Sequence, residues 1–331
     1  MHRNIAVSLI LVLMWISRRY TIYFIVGYVA AMLIKAIFSP SKDNKDKSFK
    51  NILINFFEIS GISLGILLFL FPKFLFHALL TDYRSMYSAY NTSFLNKLGS
   101  LVSSFGIVTG LIILVIGILC ILEHRNVLNY FSFAFMMLTE IFIFWLTQDM
   151  SVHHRMILNL PVFMILIMSL DFWSNAKSKY SYLKNTTVIL CIGLFVINFL
   201  KSFSILVLDK ATNSFFSSRY FPLQRYDMDN LNILKNKLLE LTRDSEDNIY
   251  VLASGEILNC DILRKLDMPY SDNAITKMFN THDVDLRDGF PVDFLKAKYI
   301  VTTAPVQLHL SSGQEVVKYL ANGVQDFDSY I

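Results

Sequence analysis

Seven apolar runs, each long enough or nearly long enough to cross a bilayer, fill the chain as far as Leu208, and about 120 residues of water-compatible sequence follow. A stretch in hydrocarbon must satisfy its own backbone hydrogen bonds, so such runs are restricted to helices unless they close a barrel. Their length favours helices. The runs are Ile5–Ile16, Tyr20–Phe38, Ile52–Phe71, Leu101–Leu122, Val127–Thr147, Met156–Leu170 and Thr187–Leu208. A crossing needs about 20 residues, so the first and sixth are short and seven is an upper count. The first run is read as retained, because Ser17-Arg18-Arg19-Tyr20 lacks the small-residue pattern of a signal cleavage site.

The expected fold is therefore an all-α polytopic membrane bundle of about six or seven transmembrane helices over residues 1–208, with a small α/β extracytoplasmic domain over 209–331. Composition agrees: 54% of the 331 residues are hydrophobic and 17% charged, against roughly 25% charged in soluble proteins. A net charge of +4 is too small to argue for a nucleic-acid partner.

Orientation follows from where the cations sit. The loop from Ser39 to Lys50 carries four lysines and is placed in the cytoplasm. Alternation then puts His124-Arg125 and Lys177, Lys179 and Lys184 inside, and the loops 73–100 and 148–155 and the tail outside. Arg18-Arg19 would lie outside, against the rule, so either the first segment does not fully span or an anionic partner holds these two arginines at the outer surface.

Between 73 and 98, Phe74, Leu75, Leu79, Leu80, Tyr83, Met86, Tyr87 and Tyr90 recur at helical spacing, as in a helix lying in the interface. Gly99, Gly106, Gly110 and Gly117 would allow close helix packing. In the tail, Leu231, Leu234, Leu238, Leu239 and Leu241 form a helical stripe. Ile249–Ala253 and Tyr299–Thr303 read as strands, and Ile257–Leu266 and Gln314–Ala321 as helices. Gly255 alone does not make a nucleotide-binding turn.

Three cysteines, Cys120, Cys191 and Cys260, form neither a disulfide framework nor a CxxC site, and read as small buried hydrophobes. No cofactor and no metal-binding residues are expected, and a divalent metal is left open. The densest polar cluster is Gln148-Asp149-Met150-Ser151-Val152-His153-His154-Arg155. If the fifth run stays helical through it, Asp149 and His153 share a face. Asp149, His153, His154 and Arg155 at an outer surface either hold a lipid-linked phosphate or form a polar turn with interface anchors. Glu140 lies within an apolar run, an expensive position that makes it a functional candidate. Glu58 and Lys201 sit nearer helix ends, where they can snorkel to the surface.

Several stretches together resemble the C-terminal half of bacterial polytopic glycosyltransferases of the GT-C superfamily, which use polyprenyl-phosphate-linked sugars. They are QDMSVHHR leading into Leu158-Asn159-Leu160-Pro161, DYRSMYSAY, FPLQRYDMDNL, IYVLASGEILNCDIL, RDGFP and AKYIVTTAPVQLHL. The resemblance implies transfer of a sugar to an acceptor in cell-surface glycan assembly, with membrane lipid around the chain and a polyprenyl-phosphate-linked sugar as partner. It implies lipid-phosphate contacts at Arg18, Arg19, Arg84, His153, His154 and Arg155. The family's catalytic acid lies in the first external loop, and here Ser17-Arg18-Arg19-Tyr20 has no carboxylate. Asp82 and Asp149 are the acids left in the external membrane-proximal loops, hence the candidate bases. A missing N-terminal half or a partner subunit would supply what this chain lacks. The alternatives are a non-catalytic membrane subunit or scaffold for envelope assembly and, behind it, a transporter, which the lack of an internal repeat disfavours.

Overall fold

A computed structural model describes residues 2–38, 45–151, 153–173, 180–203, 205–206, 214–217, 225–243, 247–266 and 277–326. The basic residues 42, 177 and 179 fall outside that set, as do Val152 and part of the FPLQRYDMDNL stretch. The chain forms two compact units, Met1–Asp82 with Thr92–Phe221, and Tyr83–Asn91 with Pro222–Ile331.

The first unit is helical: α1 (His2–Ser17), α2 (Thr21–Phe38), α3 (Lys45–Leu70), α4 (Pro72–Leu80), α6 (Phe94–Phe105), α7 (Ile107–Leu122), α8 (Val127–Thr147), α9 (Met156–Trp173) and α10 (Ser181–Ser202), with α5 (Tyr83–Met86) assigned to the second unit. Among the described residues, four helical stretches are long and apolar enough to cross a membrane: Thr21–Phe38, Phe49–Leu70, Val127–Thr147 and Ser181–Ser202. The apolar helices α1 and α9 are shorter.

The expected span Leu101–Leu122 is not one straight helix. It breaks at Gly106, where α6 and α7 meet at 83°, and counted as one bent span the pair would be a fifth. Gly106 has φ +80°, a conformation costly for any residue with a Cβ. The break exposes an amide at the start of α7, and Val108 N–H donates to the Phe215 carbonyl at 3.0 Å. Of the other three glycines in this stretch, Gly117 accommodates a neighbour, the Tyr130 ring of α8. Nothing lies within 4 Å of where a Cβ on Gly99 or Gly110 would stand.

The expected single interfacial helix near 73–98 is also broken. It consists of α4, α5, a 3-10 turn at Ser88–Tyr90 and the start of α6. Thr81 and Asn91 take extended backbone at the stops, and Ser93 caps α6 by accepting from Asn96 N–H.

Helices α2 and α8 make the most extensive contact in the unit, and α1 packs along α3. The core joins α7, α8, α9 and α10 through Ile112, Ile116, Leu119, Tyr130, Ile165 and Leu194. A second cluster, Ile141, Phe144, Met150, Ile157 and Leu158, packs against Tyr20 and Tyr23. Lys201 does not snorkel. It is 4% exposed, and its ammonium donates to the Ser217 carbonyl at 2.7 Å. Glu58 is exposed and accepts from Asn4 at 2.6 Å.

The second unit is a three-stranded parallel sheet with helices on both faces, a small α/β fold. Its strands are β1 (Ile249–Val251), β2 (Met278–Asn280) and β3 (Tyr299–Val301), in the order β2-β1-β3, with Ile249 opposite both Met278 and Tyr299. Side chains alternate across a strand. Ile249 and Val251 meet Leu231 and Leu238 of the helix Met228–Thr242 and Leu263 of the helix Cys260–Lys265. Tyr250 and Leu252 meet Val317 and Ala321 of the helix Glu315–Asp326. Covered on both sides, β1 reads as a continuous apolar run. The short β2 was not expected.

The segment Tyr83–Asn91 docks onto this unit. The Tyr90 hydroxyl lies 3.1 Å from His309 Nε2, and Ala89 fills the space beside Gly313. Burial and the nearby Asp283 push the Tyr90 phenol up to about 12. Cys120 and Cys260 are buried thiols, and Cys191 is half-buried.

Candidate functional site

The polar cluster between α8 and α9 is built from a helix that stops early. Gln148 turns to extended backbone, ending α8 at Thr147, so Asp149 and His153 do not share a helical face as the sequence suggested. Asp149 instead accepts from the Thr92 hydroxyl and lies 3.6 Å from the ammonium of Lys97. Lys97 is 8% exposed and also donates to the Trp145 carbonyl at 3.0 Å. Removing Asp149 would be costly, because the buried Lys97 ammonium would lack compensation. Asp149 therefore fastens α6 to the end of α8.

Arg155 does similar work. Its guanidinium donates to Ser100 and Ser104 of α6 and, at 2.8 Å, to the Met150 carbonyl. That fork fixes the loop and takes up donors that the sequence had offered to a phosphate.

The two histidines differ. His154 is half-buried between Tyr20 and Phe144, with ring centroids at 4.8 and 4.9 Å. Its Nδ1 accepts from Ser151 N–H at 3.3 Å, which requires the neutral ring. Burial, then the charges of His153 and Arg155, pull it down to about 4. His153 is exposed, its ring tilted at 55° against His154 with centroids 4.0 Å apart, and lies 3.0 Å from Ser151 Oγ through Nδ1. Its affinity for a proton is lowered by partial desolvation of the ring and by the positive charge of Arg18. An anion between Arg18 and His153 would reverse that second effect.

Of the expected contacts, the structure thus brings Arg18, His153, His154 and Arg155 to one end of the bundle, with Asp149 in the same loop. Arg18 and its neighbour Arg19 are exposed in the turn between α1 and α2. Arg84 belongs to the second unit, and Asp82 lies exposed in the short link before α5. The residues that shape the cluster but were not picked out from sequence are Tyr20, Thr92, Lys97, Ser100 and Ser104. Their signal is tertiary: Thr92 meets Asp149 57 positions away, and Tyr20 meets His154 across 134.

Glu140 is fully buried at the α2/α8 contact, and both carboxylate oxygens lack a hydrogen-bond partner among the described residues. It lies against Gly27, where an added Cβ would stand 2.7 Å from Glu140 Cγ. Among the described residues, no three His, Cys, Asp or Glu side chains converge as a metal site would need. No protein-family model, curated protein or solved structure matches the chain.

Proposed function

We propose that this chain is a multi-pass membrane protein of the glycosyltransferase type, holding a polyprenyl-phosphate-linked sugar at the Arg18/His153 end of its helical unit for cell-surface glycan assembly. The observation that carries the proposal is that the turn with exposed Arg18 meets exposed His153, the rings of Tyr20 and His153 lying 6.0 Å apart, beside residues that Arg155 and Asp149 hold in place. A phosphate needs cationic donors in a fixed frame, and this loop supplies both. Four helices of membrane-crossing length support a membrane protein, and cytoplasmic basic loops, by the charge rule, would leave that end and the C-terminal domain outside.

A second reading, a non-catalytic subunit that binds the lipid phosphate and leaves the chemistry to a partner, is favoured by Asp149. Its carboxylate is engaged by Lys97 and Thr92 rather than standing open for an acceptor hydroxyl.

The test is a labelled polyprenyl-phosphate sugar offered to the reconstituted chain. Arg18→Gln with His153→Asn should weaken its binding at least tenfold, since hydrogen bonds to charged groups contribute about 1.5–3 kcal/mol. Transfer that disappears in Asp149→Asn, with binding intact, marks an enzyme; binding without transfer marks the subunit. Binding unaffected by the double substitution would refute both. External labelling of Ser151→Cys in intact cells checks the orientation.

A further inference from the structure

Helices α2 and α8 run antiparallel. Tyr23 meets Thr147 and Phe144 near the polar cluster, and the opposite ends open into a cavity of about 1090 Å³. That volume lies at the top of the range for small-molecule sites, roughly 300–1,000 Å³. Lys35, His124 and Asn129 stand among its lining, and Phe131, Phe135 and Leu138 line one stripe of α8. Those three recur four and three residues apart, so they fall on a single helix face. From Asn129 to Leu138 the helix rises about 14 Å. Half of a hydrocarbon core of about 30 Å is nearly the same length, so the stripe matches one leaflet.

Charge distinguishes this cavity from a bare lipid-facing crevice. Two other cations at the same end of the unit are matched. Arg125 lies 2.7 Å from Asp171, and Lys184 lies 3.5 Å from Glu123. Lys35 and His124 are exposed and have no acidic partner among the described residues. The cavity thus combines one leaflet's depth of apolar wall with a cationic group at the end of α2 that has no acidic partner among the described residues.

We propose that this cavity binds one anionic phospholipid, its phosphate held by Lys35 and His124 and an acyl chain lying along Phe131, Phe135 and Leu138. The headgroup and one chain are then recognised together, which selects for negative charge at fixed chain chemistry. This site is separate from the Arg18/His153 cluster, and the proposal stands whether or not that cluster holds a lipid phosphate.

The experiment is native mass spectrometry of the full chain released from nanodiscs of equimolar phosphatidylglycerol and phosphatidylcholine. Phosphatidylglycerol should be retained at least tenfold over phosphatidylcholine. Lys35→Glu should abolish that preference and Lys35→Arg should keep it. Because Lys35 is exposed in the last turn of α2, neither variant puts folding at stake. Leu138→Trp, at a side chain 58% exposed, fills the stripe and should expel the lipid with no loss of thermal stability. Equal retention of the two lipids would overturn the proposal. So would retention unchanged by both Lys35→Glu and Leu138→Trp, or displacement of phosphatidylglycerol by equimolar polyprenyl phosphate.

Discussion

Replacing Gly27 by alanine would insert a methyl group into the α2/α8 joint where Glu140 now lies. The new Cβ would stand 2.7 Å from Glu140 Cγ, 2.9 Å from its Oε1 and 3.1 Å from the Met136 carbonyl oxygen. Carbon contacts settle at about 3.5–4.0 Å, so the helices would have to separate by roughly 1 Å or Glu140 would have to move. Overpacking of this kind costs about 1–3 kcal/mol. Removing a glycine from a helix interior returns about 0.5–1 kcal/mol, leaving a net loss of about 1–2 kcal/mol. With Glu140→Ala already in place, the two nearest atoms are gone and only the Met136 oxygen remains close. Gly27→Ala should then be neutral or stabilising, giving a coupling of about 1–2 kcal/mol between the two positions. Thermal unfolding of the four proteins in detergent measures it, at roughly 2–4 °C per kcal/mol for chains of 150–250 residues. An equal loss in both backgrounds would refute the placement of Glu140 against Gly27.

The remaining predictions concern the loop and the break. His154 titrates near 4 in the folded chain and near 6.5 unfolded, so the unfolded state takes up its proton first as pH falls. Stability should be full above about 6.5 and decline towards 4, by about 1–2 kcal/mol after discounting for solvent screening, and His154→Gln should flatten the melting temperature across that window. Arg155→Ala should cost about 1.5–3 kcal/mol by leaving Ser100, Ser104 and the Met150 carbonyl without their shared donor. Arg155→Lys should recover little of it, as melting curves would show, because an ammonium cannot span the fork. Gly106→Ala meets both φ +80° and backbone of Phe216 2.6 Å from the new Cβ, so the yield of folded protein should fall sharply. Gly110→Ala, with nothing within 4 Å, should be tolerated in the same expression test.

Helices were legible in the sequence wherever a long apolar run had no competing instruction. The run Val127–Thr147 is the observed helix to the residue. The cluster at 148–155 was visible as a concentration of polar side chains, and so was Glu140, because either is conspicuous among apolar neighbours. Their partners were not visible. Gly27 sits 113 positions from Glu140, and Ser100 and Ser104 about 50 from Arg155, distances over which local periodicity says nothing. Gly106 reads like any small packing residue until the Phe215 carbonyl is seen to take the amide that the bend frees. β2 is three residues long and ends in Asn280, too short for alternation to register. Tyr83–Asn91 looked like interface because tyrosines suit an interface. Its attachment to His309 and Gly313 is a tertiary fact.

That attachment sets a clock on synthesis. Tyr90 and His309 are 219 residues apart. At about 5–20 residues per second, a ribosome takes roughly 10–45 s to deliver the second after the first. Throughout that interval the tyrosine-rich segment has left the ribosome and its docking surface does not yet exist. Whatever shelters Tyr83, Tyr87 and Tyr90 in the meantime is part of how this chain is made. A fragment beginning at Pro222 would never receive the segment at all.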